Sequence, residues 1–140
     1  MRASGDVTEG AVLGELLRHG HAVLIPFGHE QPYDLVVHLR DDRFVRVQCK
    51  TGREYDGCVL FNSCSTDHGR GRLDYRGRAD VFGVYCPSLG RVFMVPVDQA
   101  ATRATRLRLR PPRNGQERGI RPADAFDVAA WERVAARRAA

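Results

Sequence analysis

A single lysine stands among the 22 basic residues of this 140-residue chain, and all the others are arginines. Lys50 closes the segment Arg46-Val47-Gln48-Cys49-Lys50. An ammonium group differs from a guanidinium because it is a compact point charge whose pKa responds to burial and to neighbouring charges. Lys50 is therefore a candidate for chemistry, although one exception to a compositional bias needs no cause. The residues around it decide between the two interpretations.

The segments on either side of Arg40-Asp41-Asp42 predict a β-hairpin. Residues 33–39 and 43–50 are rich in β-branched and aromatic side chains, as strands are. Pairing Leu39 with Arg43 across the turn sorts the side chains into two faces, and a shift by one residue would mix them. The mostly apolar face carries Leu35, Val37, Leu39, Val45, Val47 and Cys49, and the other face carries Asp34, Val36, His38, Phe44, Arg46, Gln48 and Lys50.

In this register Asp34, Gln48 and Lys50 share the polar face. Directly opposite residues have Cβ atoms about 5 Å apart, and i, i+2 neighbours on one strand are about 7 Å apart. A carboxylate and an amide oxygen can hold Mg²⁺, which activates water and offsets the charge of a phosphodiester, while an ammonium can stabilise the transition state. The cluster fits phosphodiester hydrolysis. A surface Asp–Lys pair, worth roughly 0–1 kcal/mol, would explain the same residues.

Glu9 is a further candidate acid on a predicted helix. An apolar stripe over residues 6–19 predicts this helix, with Asp6 as its N-cap and Gly20 after its end. Glu9 lies at the end of the stripe, where an acid needs a partner and a cation site would supply one. The spacing Asp6-x-x-Glu9 also fits a capping box, so both roles stay open.

The remaining patterns predict a single α+β domain over residues 1–140, with helices packed on a central mixed sheet. Residues 65–78 are rich in Gly and Arg and predict a long, mobile basic loop. Further strands are predicted at 21–27, 58–62, 81–86, 91–95 and 105–110, the last as an edge strand, and a helix at 123–140.

The charge balance indicates an anionic partner. The net charge is +5 and the pI is about 9.4, and nucleic acid is the commonest partner of such a domain. The basic loop could contact phosphates, or it could be merely solvated. Its candidate DNA-binding residues are Arg70, Arg72, Arg76 and Arg78.

Other classes of protein are disfavoured by the sequence. No apolar run approaches the roughly 18 residues of a membrane span, and the N-terminus lacks a signal-peptide pattern, so we expect a cytoplasmic protein without membrane contact. The four cysteines show no C-x-x-C pair, which disfavours a zinc site and favours reduced thiols.

The segments Pro32-Tyr33-Asp34 and Gln48-Cys49-Lys50 together resemble the PD-(D/E)xK nuclease signature, in the variant where Gln replaces the second acid. More specifically, the chain resembles the small family of these endonucleases that is related to group I intron homing endonucleases. The resemblance implies a restriction-endonuclease-like fold with an αβββ-type core. It also includes Glu9, Pro26, residues 33–37, Val47, Thr51, Phe61-Asn62, Tyr75, residues 80–82, Val95-Pro96 and Asn114-Gly115-Gln116.

The resemblance implies a role for each signature residue. Asp34 corresponds to the metal-binding aspartate, Gln48 stands in the place of the second acid, and Lys50 corresponds to the catalytic lysine. The backbone carbonyl of Cys49 would complete the metal shell, and Glu9 would reach the metal directly or through water. The expected cofactor is Mg²⁺, with Mn²⁺ as an alternative. The glutamine removes one negative charge, which should weaken binding of a hard cation.

The expected function is that of a Mg²⁺-dependent DNA endonuclease. The same fold and motif also serve Holliday-junction resolvases, and fold analogy does not separate the two. A catalytically inactive nucleic-acid-binding domain is a further alternative, favoured by Gln48, and a protein-binding α+β domain is another. Cutting both strands of a duplex needs two active sites, so a homo-oligomer, either a dimer or a tetramer, is expected.

Overall fold

The structure, a computed structural model, describes residues 5–67 and 71–138, without the side chains of 66, 67 and 71–73. The two α-helices are α1 (Gly5–Arg18) and α2 (Val128–Arg138), and short 3-10 helices span Val97–Gln99 and Ala123–Phe126. The strands are β1 (Ala22–Leu24), β2 (Leu35–His38), β3 (Phe44–Thr51), β4 (Arg53–Tyr55), β5 (Cys58–Asn62), β6 (Cys64–Asp67), β7 (Gly71–Asp74), β8 (Val81–Cys86), β9 (Arg91–Pro96) and β10 (Ala104–Arg108). In this part of the chain no helix is long and apolar enough to cross a membrane.

A five-stranded sheet in the order β1-β2-β3-β8-β9 forms the centre of the fold. The strand β3 lies in the middle, antiparallel to β2 and parallel to β8. A three-stranded antiparallel sheet in the order β10-β5-β4 and the hairpin β6-β7 complete the strands. The parallel pair makes the central sheet mixed, and the predicted α+β class is confirmed.

The central sheet is covered on both faces. One core contains Val12 and Leu16 of α1, Trp131 of α2, and side chains of β2 and β3. The other core contains residues of β5 and β10, packed on Phe82 and Val84 of β8. Burial on both faces explains why β8 is apolar almost throughout instead of alternating with polar residues.

The predicted register of the first hairpin is confirmed. The pairs run from Leu35 opposite Val47 to His38 opposite Phe44. Asp42 takes a positive φ of 67° in the turn, and the backbone N–H of Leu39 donates to the carbonyl of Arg43 over 2.8 Å. The strand at 58–62, the pairing of β8 with β9, and the edge position of β10 are also confirmed, although β10 covers Ala104–Arg108.

The loop prediction for residues 65–78 is wrong at 65–67 and 71–74, while residues 75–78 lie outside any strand. The strands β6 and β7 pair there as an antiparallel hairpin, from Cys64 opposite Asp74 to Asp67 opposite Gly71. The composition misled because backbone hydrogen bonds form a hairpin with polar and glycine residues too. Residues 68–70 lie outside the described part of the chain.

Three boundaries also differ from the prediction. The strand expected at 21–27 covers only Ala22–Leu24. The C-terminal helix is interrupted at Asp127, whose Oδ1 accepts a 2.7 Å hydrogen bond from the N–H of Ala130 and so caps α2. Asp6 lies within the first turn of α1 and is not its N-cap, since α1 starts at Gly5. Gly20 follows the end of α1, as predicted, with a φ of 84°.

Candidate functional site

The strand β3 presents its residues alternately to the two cores. Cys49 faces the core that contains Val12 and Leu16 of α1. Gln48 and Lys50 are both half-buried and take the opposite side of the strand. Gln48 is paired with Phe82, and Lys50 with Val84, in the parallel ladder to β8. The parallel ladder to β8 therefore holds the backbone of both residues in place.

Asp34 is anchored on the two neighbours of Gln48. It lies one residue before β2, and its backbone N–H donates to the carbonyl of Val47 over 2.8 Å. Its side-chain Oδ2 accepts a 2.9 Å hydrogen bond from the backbone N–H of Cys49. The regular β2–β3 ladder ends at the Leu35–Val47 pair, so Asp34 contacts the segment around Gln48 without extending the ladder.

Glu9 of α1 meets Asp34. Burial, the negative charge of Asp34 and a hydrogen bond between the two side chains raise the pKa of Glu9 above its ordinary value. Asp6 acts in the same direction and His29 in the opposite one. Two carboxyl groups can form a hydrogen bond with each other only when one of them holds a proton. The pair is therefore a place where a proton or a cation is favoured.

The same charges act on Cys49. Burial, followed by the negative charges of Asp34 and Glu9, raises the pKa of the Cys49 thiol far above its ordinary range. The thiol therefore stays protonated and packs as an apolar group. If Cys49 takes part in binding a metal, its backbone carbonyl is the group available.

Lys50 contacts residues from a later part of the chain. Its Nζ donates to the hydroxyl of Tyr75 over 3.3 Å and to the backbone carbonyl of Cys64 over 3.4 Å. The same Nζ lies 4.8 Å from the centroid of the Tyr75 ring. No hydrogen bond or ion pair joins Lys50 to Asp34 among the described residues. The structure thus brings together Glu9 with Asp34, and Lys50 with Tyr75.

Tyr75 is a site residue whose role the sequence did not indicate. It belongs to the family resemblance, but the sequence analysis assigned it no contact with Lys50. Its ring packs edge-on against Phe82 with centroids 5.4 Å apart, while its hydroxyl holds Lys50. No local signal could have revealed this interaction, because the two residues lie in different elements of the fold and far apart in the sequence.

The predicted DNA-binding arginines have different surroundings. Arg70 and the side chain of Arg72 lie outside the described part of the structure. Arg76 is exposed, and its Nε lies 3.8 Å from Asp74 Oδ2. Arg78 donates to the backbone carbonyl of Asp74 over 3.4 Å, and its guanidinium lies 5.7 Å from the ring of Tyr75. Tyr75 therefore lies near two cations, Lys50 and Arg78.

Comparison with known proteins decides the family. The sequence profile of the PD-(D/E)XK endonucleases matches residues 1–129, which is most of the chain. The chain belongs to the PD-(D/E)XK endonuclease family. Its fold is similar to the structure of a bacterial homing endonuclease, I-Ssp6803I, with a TM-score of 0.73 and 24% identity over 96% of this chain and 93% of that one. The search of curated proteins found no match.

The predicted family is thereby confirmed, and so is the fold class. Within this PD-(D/E)XK chain, the signature residues Asp34, Gln48 and Lys50 lie just before β2 and on β3. Their chemical roles stay predictions. The described residues contain no group of three or more His, Cys, Asp and Glu side chains arranged to hold a metal ion.

Proposed function

We propose that this PD-(D/E)XK protein is a metal-dependent endonuclease that cleaves DNA, using Asp34, Gln48 and Lys50. The observation that carries the proposal is the meeting of Glu9 and Asp34 beside β3. The pKa of Glu9 is raised, first by burial and then by the charge of Asp34, which describes two acids held close together. Such an arrangement is costly unless a ligand uses it.

The residues present fit a hard divalent cation. Glu9 and Asp34 supply anionic oxygens, and the Gln48 amide oxygen and Cys49 carbonyl supply neutral ones, which together form an all-oxygen donor set. When bound, Mg²⁺ or Mn²⁺ would activate water and offset the charge of the phosphodiester. With only two carboxylates, the affinity for metal should be weak until a phosphate oxygen completes the shell.

Lys50 would act through the position of its ammonium group beside the reacting groups. The Tyr75 hydroxyl and the Cys64 carbonyl hold its Nζ by two hydrogen bonds. A fixed ammonium can orient the attacking water or stabilise the extra negative charge of the transition state. The carboxylate of Asp34 accepts a hydrogen bond from the backbone N–H of Cys49 in β3. This bond sets the orientation of the acid before substrate arrives.

A non-catalytic nucleic-acid-binding domain is the second candidate. The amide of Gln48 in place of an acid favours it, because the described residues offer no third carboxylate to the site. The same chemistry would also serve a Holliday-junction resolvase, which differs in the DNA that it recognises. A dimer or tetramer is proposed because a double-strand cut needs two sites. The cytoplasmic location stays a prediction.

Cleavage assays with matched variants test the proposal. Supercoiled and branched DNA would be incubated with wild type, Lys50→Ala and Asp34→Asn, in Mg²⁺, Mn²⁺ or EDTA. A suitable control is Glu117→Gln, which removes an exposed acid outside the site. We expect metal-dependent cleavage by wild type and the control only. DNA binding without cleavage would support the second candidate, and equal cleavage by Lys50→Ala would contradict the proposed site.

A further inference from the structure

The three-stranded sheet has one buried face and one basic face. Register places Arg53, Leu60 and Arg106 side by side across β4, β5 and β10, and Tyr55, Cys58 and Arg108 in the neighbouring row. Directly paired residues point to the same side of a sheet. The alternate residues Val59, Phe61 and Leu107 are buried in the core, whereas on the other side Cys58 is buried too but Arg53 and Arg106 are exposed. We call the side that carries Arg53, Tyr55, Arg106 and Arg108 the outer sheet face.

Two guanidinium groups meet at one aromatic ring on the outer sheet face. The Cζ atoms of Arg53 and Arg106 each lie 5.4 Å from the centroid of the Tyr55 ring. Tyr55 is 50% exposed. Contacts of this kind hold the guanidinium groups over an aromatic face while their N–H donors stay available to a ligand.

The arginines of this face are not paired with acids among the described residues. No described carboxylate forms an ion pair with Arg53, Arg106 or Arg108, whereas Arg46 pairs with Asp80 and Arg91 with Asp124. Arg108 contacts only neutral groups, the Asp56 carbonyl and the Cys58 sulfur, among the described residues. Its Nε is buried and makes no hydrogen bond there. Converging cations without acids are stabilised by an anionic ligand.

We propose that the outer sheet face is a second DNA-binding surface, which contacts backbone phosphates through Arg53, Arg106 and Arg108. This inference rests on the proposed function, because a DNA endonuclease must hold the duplex as well as cut it. Guanidinium groups suit phosphate oxygens because their planar donor array matches them. An exposed ring between the arginines is also typical of nucleic-acid surfaces, where aromatic groups support cations and contact sugars or bases.

The chain connects this surface rigidly to the signature strand. Only Thr51 and Gly52 separate Lys50 from Arg53, a path of roughly 10 Å along an extended chain. The N–H of Gly52 donates to the Tyr85 carbonyl over 2.8 Å. A Cβ at Gly52 would lie 2.7 Å from the Val59 side chain, so the glycine lets the two sheets pack closely. The outer sheet face therefore belongs to a sheet that packs directly on the central sheet of the signature strand.

Salt-dependent DNA binding tests this surface. The affinity of a short DNA duplex of arbitrary sequence would be measured in EDTA over a range of salt concentrations. The variants are Arg53→Gln with Arg106→Gln, Arg53→Lys with Arg106→Lys, and a charge-matched control, Arg18→Gln with Arg91→Gln. We expect the glutamine pair to weaken binding and to reduce the log–log salt slope by about 1.8 relative to wild type, since each phosphate contact accounts for about 0.9. The lysine pair should keep most of the slope.

The outcomes separate this surface from the active site. A slope for the glutamine pair equal to that of the control would overturn the proposal, whether or not wild type cleaves DNA in Mg²⁺. A reduced affinity for polyglutamate with no change for DNA would also overturn it, in favour of an acidic protein partner. A reduced DNA slope in a protein without metal-dependent cleavage would support the surface while contradicting the proposed catalysis. Thermal unfolding would verify that each exposed substitution leaves the fold intact.

Discussion

The two acids beside β3 impose opposite demands on folding and on metal binding. Burial and the neighbouring Asp34 raise the pKa of Glu9, so the folded protein holds a proton at Glu9 more tightly than the unfolded chain does. The free energy of unfolding therefore falls as pH rises from the ordinary value of 4.5 through the raised pKa. Above that window the ionised pair destabilises the metal-free protein.

Replacing Glu9 should have effects of opposite sign without and with metal. In EDTA at neutral pH, Glu9→Gln is expected to be more stable than wild type, and the difference should shrink as pH falls below 4.5. In Mg²⁺ or Mn²⁺, wild type should gain more stability than the variant, because a cation bound to the folded state stabilises it. Thermal unfolding across pH, with and without metal, measures both effects. A variant less stable than wild type in EDTA would contradict this account of the pair.

The role of Lys50 can be tested by replacing it with arginine, the basic residue that this chain uses everywhere else. Lys50→Arg keeps the charge but places a planar fork on a longer stem, which does not fit the contacts that Tyr75 and Cys64 make with a small ammonium. We expect normal folding and DNA binding, with cleavage at least roughly a hundredfold slower, which corresponds to about 2.7 kcal/mol of activation free energy. Single-turnover cleavage rates measure this. A wild-type rate would mean that Lys50 supplies only generic charge.

The relative placement of α1 and the sheet determines whether Glu9 reaches Asp34. The helix approaches β8 closely at Gly83, where an added Cβ would lie 2.7 Å from Cγ1 of Val12 and 3.0 Å from Cγ1 of Val47. Glu9 and Val12 are three residues apart and therefore lie on neighbouring turns of one side of α1. The absence of a side chain at Gly83 thus determines how closely the helix that carries Glu9 packs on the sheet.

Gly83→Ala should separate helix and sheet. Overpacking of this kind is expected to cost about 1–3 kcal/mol of stability, and it should weaken metal binding by moving Glu9 away from Asp34. Val12→Ala removes the clashing Cγ1, so the cost of Gly83→Ala should be smaller in that background than in wild type. A double-mutant cycle by chemical denaturation measures this coupling. Additive effects would mean that the close approach of Val12 is not what excludes a larger side chain at position 83.

Charge is distributed unevenly over the whole molecule. The net charge is +5, yet several arginines are neutralised locally, as Arg46 is by Asp80. Burial by itself would raise the pKa of Asp80, but the hydrogen bonds and the positive charge of Arg46 hold that pKa below its ordinary value. The arginines that remain without acids, together with those near the β6–β7 hairpin, are therefore the ones available to a long polyanion.

The arginines of the β6–β7 region give a whole-molecule test of DNA binding. The triple variant Arg70→Ala, Arg72→Ala and Arg76→Ala is expected to bind duplex DNA more weakly and with a lower salt slope, by about 0.9 for each phosphate that an arginine no longer binds. Arg76 has Asp74 as a neighbour and should contribute least. Salt titrations with fluorescent duplex DNA measure the slope, and Arg137→Ala with Arg138→Ala serves as a control on α2. An unchanged salt slope would mean that these arginines are solvated and do not contact DNA.

Local pattern was enough to predict the signature hairpin. Residues 33–50 form one contiguous stretch with a short turn, so alternation of apolar and polar side chains specified the register, and burial of Leu35, Val37 and Val47 bears it out. The family also followed from the sequence, because the signature residues and their order lie within that stretch and its surroundings. Composition, in contrast, failed at residues 65–67 and 71–74, where hairpin pairing depends on backbone hydrogen bonds that glycine and arginine also make.

The chain's own sequence therefore determined the family, the α+β class and the β2–β3 hairpin with its signature residues. Only the tertiary structure decided that β3 pairs in parallel with β8, that Glu9 meets Asp34, and that Tyr75 holds Lys50. The physical reason is the range of the interactions. Side-chain periodicity records which face of an element is buried, but it does not record which distant element covers that face. That choice is made by packing two cores at once against a single central sheet.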